Sequence, residues 1–281
     1  MIVNPGHIVP VYDRLLDQRR FQIGGANWGI KARKDRLLPF QFWFDDSLDT
    51  STISFTLKPI RGVVGETNLI PFLTIHRNSN DTRSWFSLMD MGYSMGLQCG
   101  FFYVEIQHKT ETWYTEVFHI VEDEYFDGLE GAEDYRKYVY DLEWWNATDL
   151  QNTLYSEGFR QKVYLEMHEG EPQNPVDRIV QEKPNGSEEV SSIQSAKRRV
   201  FQIRDVVDFW PDVFTLIPGH SNARLSKTSD STWVQILKEV EYQRAGDSGP
   251  FFQTGELSWM EHRHDISGCG ENQSVTQIAL G

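Results

Sequence analysis

The chain has little positive charge, few cysteines and no long apolar run. Its 281 residues carry 27 basic against 41 acidic side chains, a formal net charge of −14, and the mean hydropathy is −0.50. A nucleic-acid binder needs clustered Lys and Arg to displace condensed counterions, so this field argues against direct contact with nucleic acid. No stretch approaches the roughly 18 apolar residues of a membrane span. Met1 to Arg20 holds Pro5, Pro10 and several charges in place of an apolar signal core. The expectation is a chain with no membrane span and no cleaved leader. Cys99 and Cys269 stand far apart and in no metal-type spacing, which implies neither a disulfide framework nor a zinc site and fits assembly inside a cell.

What the chain has in quantity is aromatic residues, 13% Phe, Trp and Tyr, with 21 Gly and 11 Pro distributed along it. That composition favours strands and turns, and predicts a mainly β protein of β-sandwich-like domains with long hairpins. Residues 1–20 show no clear period and read as an extended arm of the kind that lies on a neighbour. Alternation begins at Phe40, with Phe40, Phe42 and Phe44 on one strand face and Ile53, Phe55 and Leu57 on another. Phe102, Val104 and Ile106 share a face, the turn-like HKTET follows, and Tyr114, Phe118 and Ile120 share the returning face. Together these define an N-terminal β domain over 21–121.

Residues 122–134 hold seven acids and two glycines and predict a solvated acidic connector. A C-terminal β domain is expected over 135–268, and a polar tail over 269–281. In that domain Val163, Leu165 and Met167 oppose Lys162, Tyr164 and Glu166 across one strand, and Asn185-Gly186 marks a hairpin turn. The apolar spacing of Val206, Phe209, Trp210, Val213, Phe214 and Ile217 predicts one short helix that starts near Trp210, where Pro211 is tolerated. Val234, Ile236, Val240 and Tyr242 are expected on one face of a final long hairpin.

Several motifs suggest chemistry, and each has a plainer reading. Gly246-Asp247-Ser248-Gly249-Pro250 is one glycine short of the nucleophile loop of chymotrypsin-like proteases. The missing residue would displace the oxyanion donors, and a hairpin turn explains the same residues. Gly24 to Lys31 has the glycines of a phosphate loop, but Ile30 stands where the lysine belongs. Asp123, Asp127, Gly128 and Asp134 match four places of a calcium loop, yet Tyr125 fills position three and the closing glutamate is missing. His262 and His264 lie two apart on one strand face without a third ligand nearby. Lys197-Arg198-Arg199 is read as a solvated run, or as a contact for an acidic partner such as a neighbouring copy. No catalytic, cofactor-binding or metal residue is therefore assigned. Trp85, Trp113, Trp144 and Trp145 are the residues from which a sugar-stacking platform would be built, which makes a glycan-binding adhesin the alternative function.

The run YVYDLEWWNATDLQNTLYSEGFRQKVYLEMHEGEP, then NGSEE, then QSAKRRVFQIRDVVDFWPDVFTLI resembles structural proteins of tailed bacteriophages that infect Bacteroidetes, crAss-like phages included. Gly158 and Phe159 with Val163, Tyr164 and Leu165 carry the first part, and Arg198, Arg199, Phe201 and Pro211 the second. The likeness spans roughly residues 135–265, and the opening NPGHIVPVYDR is similar to the start of such virion proteins. The resemblance implies a β-rich subunit of a tail, neck or baseplate, without catalytic residues. Such a subunit assembles in rings with copies of itself and other virion proteins, in the host cytoplasm and then the virion.

Overall fold

A computed structural model describes residues 2–3, 9–14, 30–34, 37–44, 52–61, 65–77, 84–88, 97–122, 124–127, 139–145, 159–227, 233–235, 240–249, 252–267 and 274–278. In chain order its strands are β1 (Ile2–Val3), β2 (Val11–Tyr12), β3 (Lys31–Arg33), β4 (Phe40–Phe44), β5 (Ile53–Arg61), β6 (Thr67–Asn68), β7 (Leu73–Arg77), β8 (Ser84–Leu88), β9 (Gly100–His108) and β10 (Glu111–Thr115). They continue with β11 (Phe118–Val121), β12 (Val139–Trp145), β13 (Arg160–Glu169), β14 (Val176–Glu182), β15 (Glu188–Val207), β16 (Asn222–Lys227), β17 (Trp233–Gln235), β18 (Val240–Gly249), β19 (Phe252–Ser267) and β20 (Ser274–Ile278). Two short helices, α1 (Glu124–Asp127) and α2 (Trp210–Phe214), interrupt them. The mainly β expectation holds.

The strands form three sheets. The first runs β1-β4-β8-β7, and the second β2-β10-β9-β11-β3, with β5 on the other side of β9 and β6 beyond it. Alternation places Phe40 and Phe42 of β4, Ile53, Phe55 and Leu57 of β5, and Phe102, Val104 and Ile106 of β9 in the core. Phe42 stacks on Phe55 with ring centroids 5.9 Å apart, which joins the first sheet to the second. Each such buried aromatic contributes roughly 1.5–3 kcal/mol relative to an exposed one.

Two expectations for this half change. Tyr114 does not share the face of Phe118 and Ile120. It pairs with Glu105 and lies 6.0 Å from Tyr103, on the outer face, while Phe118 pairs with Phe102 in the core. Residues 116 and 117 break the register between β10 and β11 and reverse the alternation. The buried Glu116 helps hold the break, because one carboxylate oxygen accepts the Val117 N–H at 3.1 Å. Of the expected arm, the described strands pair with their own chain. Ile2–Val3 lies against β4, Val11–Tyr12 against β10, and Val9 is buried.

The third sheet runs β17-β16-β12-β13-β15-β19-β18, with β14 also on β15 and β20 on β19. Its two ends are close in sequence. Gln235 ends β17 and Val240 begins β18, a separation of 240 − 235 = 5 residues. Such a link reaches about 18 Å at most, whereas six strand spacings of a flat sheet need about 29 Å. The sheet is accordingly bent and not flat. β13 is the corner: Arg160 to Glu166 pair with β12, and Met167 to Glu169 with β15. Across the bend Tyr140 of β12 meets Phe201 of β15 edge-on at 5.3 Å, and Phe201 stacks on Trp259 at 4.6 Å. The expected single strand from Val234 to Tyr242 is thus two strands at opposite sheet ends, with Ile236 outside the described residues. The helix starts at Trp210 as predicted, and Trp210, Val213 and Phe214 point into the core.

β12 is buried on both faces. Tyr140, Leu142 and Trp144 fill the hydrophobic side, and Asp141, Glu143 and Lys162 form a buried charged ladder on the other. Lys162 Nζ lies 2.9 Å from Asp141 and 3.5 Å from Glu143, while Arg224 donates twice to Glu143, at 2.9 and 2.7 Å. A cation between two buried acids is costly to remove. Lys162→Met should lower unfolding free energy by about 3 kcal/mol in urea titration, more than Arg160→Ala, whose side chain is half exposed. Gly255 sets a second constraint, because a Cβ there would come within 2.3 Å of the Tyr242 ring. That ring packs against Phe214 at 5.7 Å and has little room to withdraw. Gly255→Ala is expected to cost about 1–3 kcal/mol by the same measurement.

Candidate functional site

The third sheet extends beyond its own core. β15 is 20 residues long, roughly 65 Å at about 3.3 Å per residue, and only its second half is buried. Phe201, Ile203, Val206 and Val207 of that half belong to the core, flanked by β13 and by the first half of β19. The first half continues outward between β14 and the end of β19, and β20 pairs with that end. The result is a projecting blade in the order β14-β15-β19-β20.

Local sequence explains the switch from β13 to β14. Pro172 and Pro175 lack an N–H, so the ladder between the two strands shrinks. It is held by Gly170 N–H to Val200 O at 2.9 Å and by a reciprocal pair between Gln173 and Arg198. The blade's tip is the turn Pro184-Asn185-Gly186, where Gly186 has φ +78°. Gly186 N–H donates to Lys183 O and Lys183 N–H to Ser187 O, each at 2.8 Å. Asn185-Gly186 therefore makes the hairpin its sequence predicts.

Every residue of β14 is exposed. Val176 is 50%, Ile179 54%, Val180 45% and Val190 42% accessible. Val180 lies opposite Val190, while Ile179 lies opposite Ser192, because β15 carries an extra residue at Ser191. One blade face thus presents Val176, Val180 and Val190, and the other Ile179. Among the described residues β14 pairs only with β15, so its outer edge is open. On sequence alone this segment is one arm of an ordinary hairpin. Its signal is that VDRIVQE has no clean alternation, since Ile179 and Val180 are adjacent and each face mixes charge with apolar groups.

The residues singled out for chemistry are placed elsewhere. Gly246, Asp247 and Gly249 belong to β18 and pair with Thr254, Gln253 and Phe252 through two irregularities. The Asp247 carboxylate is bound by Arg244. The side chain of Ser248 lies outside the described residues, as does Pro250. The glycine run 24–29 also lies outside them, whereas Lys31 is buried and paired with Glu166 at 3.0 Å. In the acidic segment Asp123, Gly128 and Asp134 lie outside the described residues. The part that is described is less solvated than expected. Residues 124–127 form α1, Phe126 is buried against Tyr164 at 4.6 Å, and the Tyr125 hydroxyl donates to Glu166. Phe126 belongs to the core, and Arg33 covers its ring at 4.6 Å. Glu122 pairs with Lys34 at 3.1 Å, and hydrogen bonds from Cys99 and Lys34 hold its carboxyl below the usual range.

His262 and His264 are in β19 opposite Lys197 and Ser195, with side chains outside the described residues. No cluster of three metal-ligating side chains occurs among the described residues. Arg198 pairs with Glu241 at 3.1 Å and Arg199 with Glu169 at 2.6 Å, so these two are bound within the chain. Among the described side chains, Trp113, Trp144 and Trp145 do not form one platform. Trp144 is buried, Trp113 packs against the core, and Trp145 lies between Arg160 at 4.5 Å and Arg224 at 5.3 Å. The Trp85 side chain lies outside the described residues.

Among the described residues His119 has a strongly shifted pKa. His119 stacks on Phe101 at 4.3 Å, and burial, then the nearby Lys31 charge, lowers its pKa to about 4. The native imidazole stays neutral while the unfolded one protonates below about 6.5. Stability present above that range is therefore lost as pH falls towards about 4. Between pH 7 and 5 a loss of about 1 kcal/mol is expected, allowing for partial exposure, and His119→Phe should remove it in paired urea titrations. No protein-family model matches this chain, and no curated protein matches it in sequence.

Proposed function

We propose that this chain is a non-enzymatic virion structural protein, a ring-forming subunit of the tail, neck or baseplate of a tailed phage. The observation that carries this reading is the blade: an open strand edge and exposed valines held well away from the core. Such an edge is an aggregation hazard on a free protein and a joint in an assembly. The resemblance of residues 135–265 to phage structural proteins supports the same reading.

The charge distribution is consistent with it. With 41 acids against 27 bases, the subunit's surface would face proteins and not packaged nucleic acid. No helix among the described residues is long and apolar enough to cross a membrane. The proposed setting is the host cytoplasm during assembly and the tail region of the virion afterwards. The partners are copies of this chain and neighbouring virion proteins.

Quantitative mass spectrometry of purified particles tests the proposal. The expected result is this chain at a small fixed multiple per particle, as closed cyclic symmetry requires. Absence from particles would overturn it, and binding on a glycan array would then favour the adhesin.

A further inference from the structure

We propose that the blade pairs with a second copy of itself, β14 against β14, in an antiparallel register centred on Val180. This deepens, and rests on, the reading of the chain as an assembling subunit. The argument begins with the hydrogen bonds at the tip. Lys183 N–H donates towards β15, to Ser187 O. The alternation of an antiparallel ladder then turns the backbone groups of Gln181 towards β15 and those of Arg178, Val180 and Glu182 to the open edge. The extra residue of the irregular pair is on β15, so the alternation in β14 is uninterrupted.

A two-fold axis through Val180 makes opposed residue numbers sum to 360. Val180 then faces Val180 of the second copy, Arg178 faces Glu182, and Asp177 faces Lys183. Each ionic pair occurs twice. The neighbouring registers lack this match. A sum of 359 sets Asp177 against Glu182, and a sum of 361 sets Arg178 against Lys183, which are like charges directly opposed. Centring on Ile179 pairs Arg178 with Val180, Asp177 with Gln181 and Glu182 with Val176, and leaves all three of these charges unmatched. Only the register centred on Val180 uses outward-facing backbone groups at its centre and opposes every charge with its complement. Pro184, with no N–H, ends the ladder beside the turn.

The same register solves the exposure of the apolar groups. Directly opposed residues share a sheet face. Val190 and Val180 of one copy therefore continue into Val180 and Val190 of the other, a row of valines across four strands. The contact is isologous, so it joins two subunits, or two rings face to face, and does not propagate.

Disulfide trapping tests this. Val180→Cys, in a full-length chain also carrying Cys99→Ser and Cys269→Ser, is expected to form a covalent dimer under mild oxidation. Hydrogen-bonded opposed residues have Cα atoms about 5.5 Å apart, within disulfide reach. Val176→Cys should not, because its symmetry mate lies roughly 26 Å away along the strand. Analytical ultracentrifugation supplies the second test. Arg178→Glu should weaken the dimer about tenfold or more, and adding Glu182→Arg should restore it. Equal trapping at positions 176 and 180, or no rescue by the charge swap, would overturn the contact. Particles that contain the chain but give no 180–180 link would overturn this contact and leave the subunit reading standing. The link in purified protein, with the chain absent from particles, would do the reverse.

Discussion

The antiparallel pairing of β15 with β19 organises the C-terminal half, from Ser192 opposite Ser267 to Val207 opposite Phe252. The pairing continues through two irregularities along this length, and the surroundings of the two strands change. Near Val207 they are inner strands of a bent sheet, and Phe201 and Trp259 stack between them and the core. Towards Ser192 the same two strands carry β14 and β20 on their outer sides with no core beneath β14. A projecting blade needs such continuity, because an isolated hairpin of that length is marginal in water. Here it is anchored by residues that are already buried.

Local features were legible in the sequence because they depend on near neighbours. The inward faces of β5 and β9 follow from period two, the tip turn from Asn185-Gly186, and the start of α2 from Pro211. Partners across the fold were not legible. Nothing local distinguishes one strand of Trp233 to Tyr242 from two that sit at opposite sheet ends. The break at Glu116-Val117 was hidden for a different reason: it is a one-residue register change, and a face assignment that extends alternation through it necessarily inverts. Of the candidate site, the hairpin could be read but its exposure could not, since valines in a strand look the same whether a second sheet covers them or water does.

Electrostatics explains why the charged motifs came to so little. The charges on which the fold relies are bound inside it, Lys31 to Glu166, Lys162 to Asp141 and Glu143, Arg224 to Glu143. Even the basic run at 197–199 sends Arg199 to Glu169 of the adjacent β13 and Arg198 across β19 to Glu241 of β18. These pairs fix strand register, because moving β13 by one residue would replace Lys162 beside Glu143 with Val163 or Gln161.

The parallel pairing of β3 with β11 joins His119 to Lys31, 119 − 31 = 88 residues apart in sequence. During synthesis β3 leaves the ribosome long before its partner exists. Lys31 must wait longer still for Glu166, which lies 135 residues after it. The N-terminal segment therefore remains without its final partners while most of the chain is made, and loop closure of that size slows folding. In such a chain a strand of the C-terminal half completes the environment of one of the first, so β3 is fully partnered only after β13 has been made.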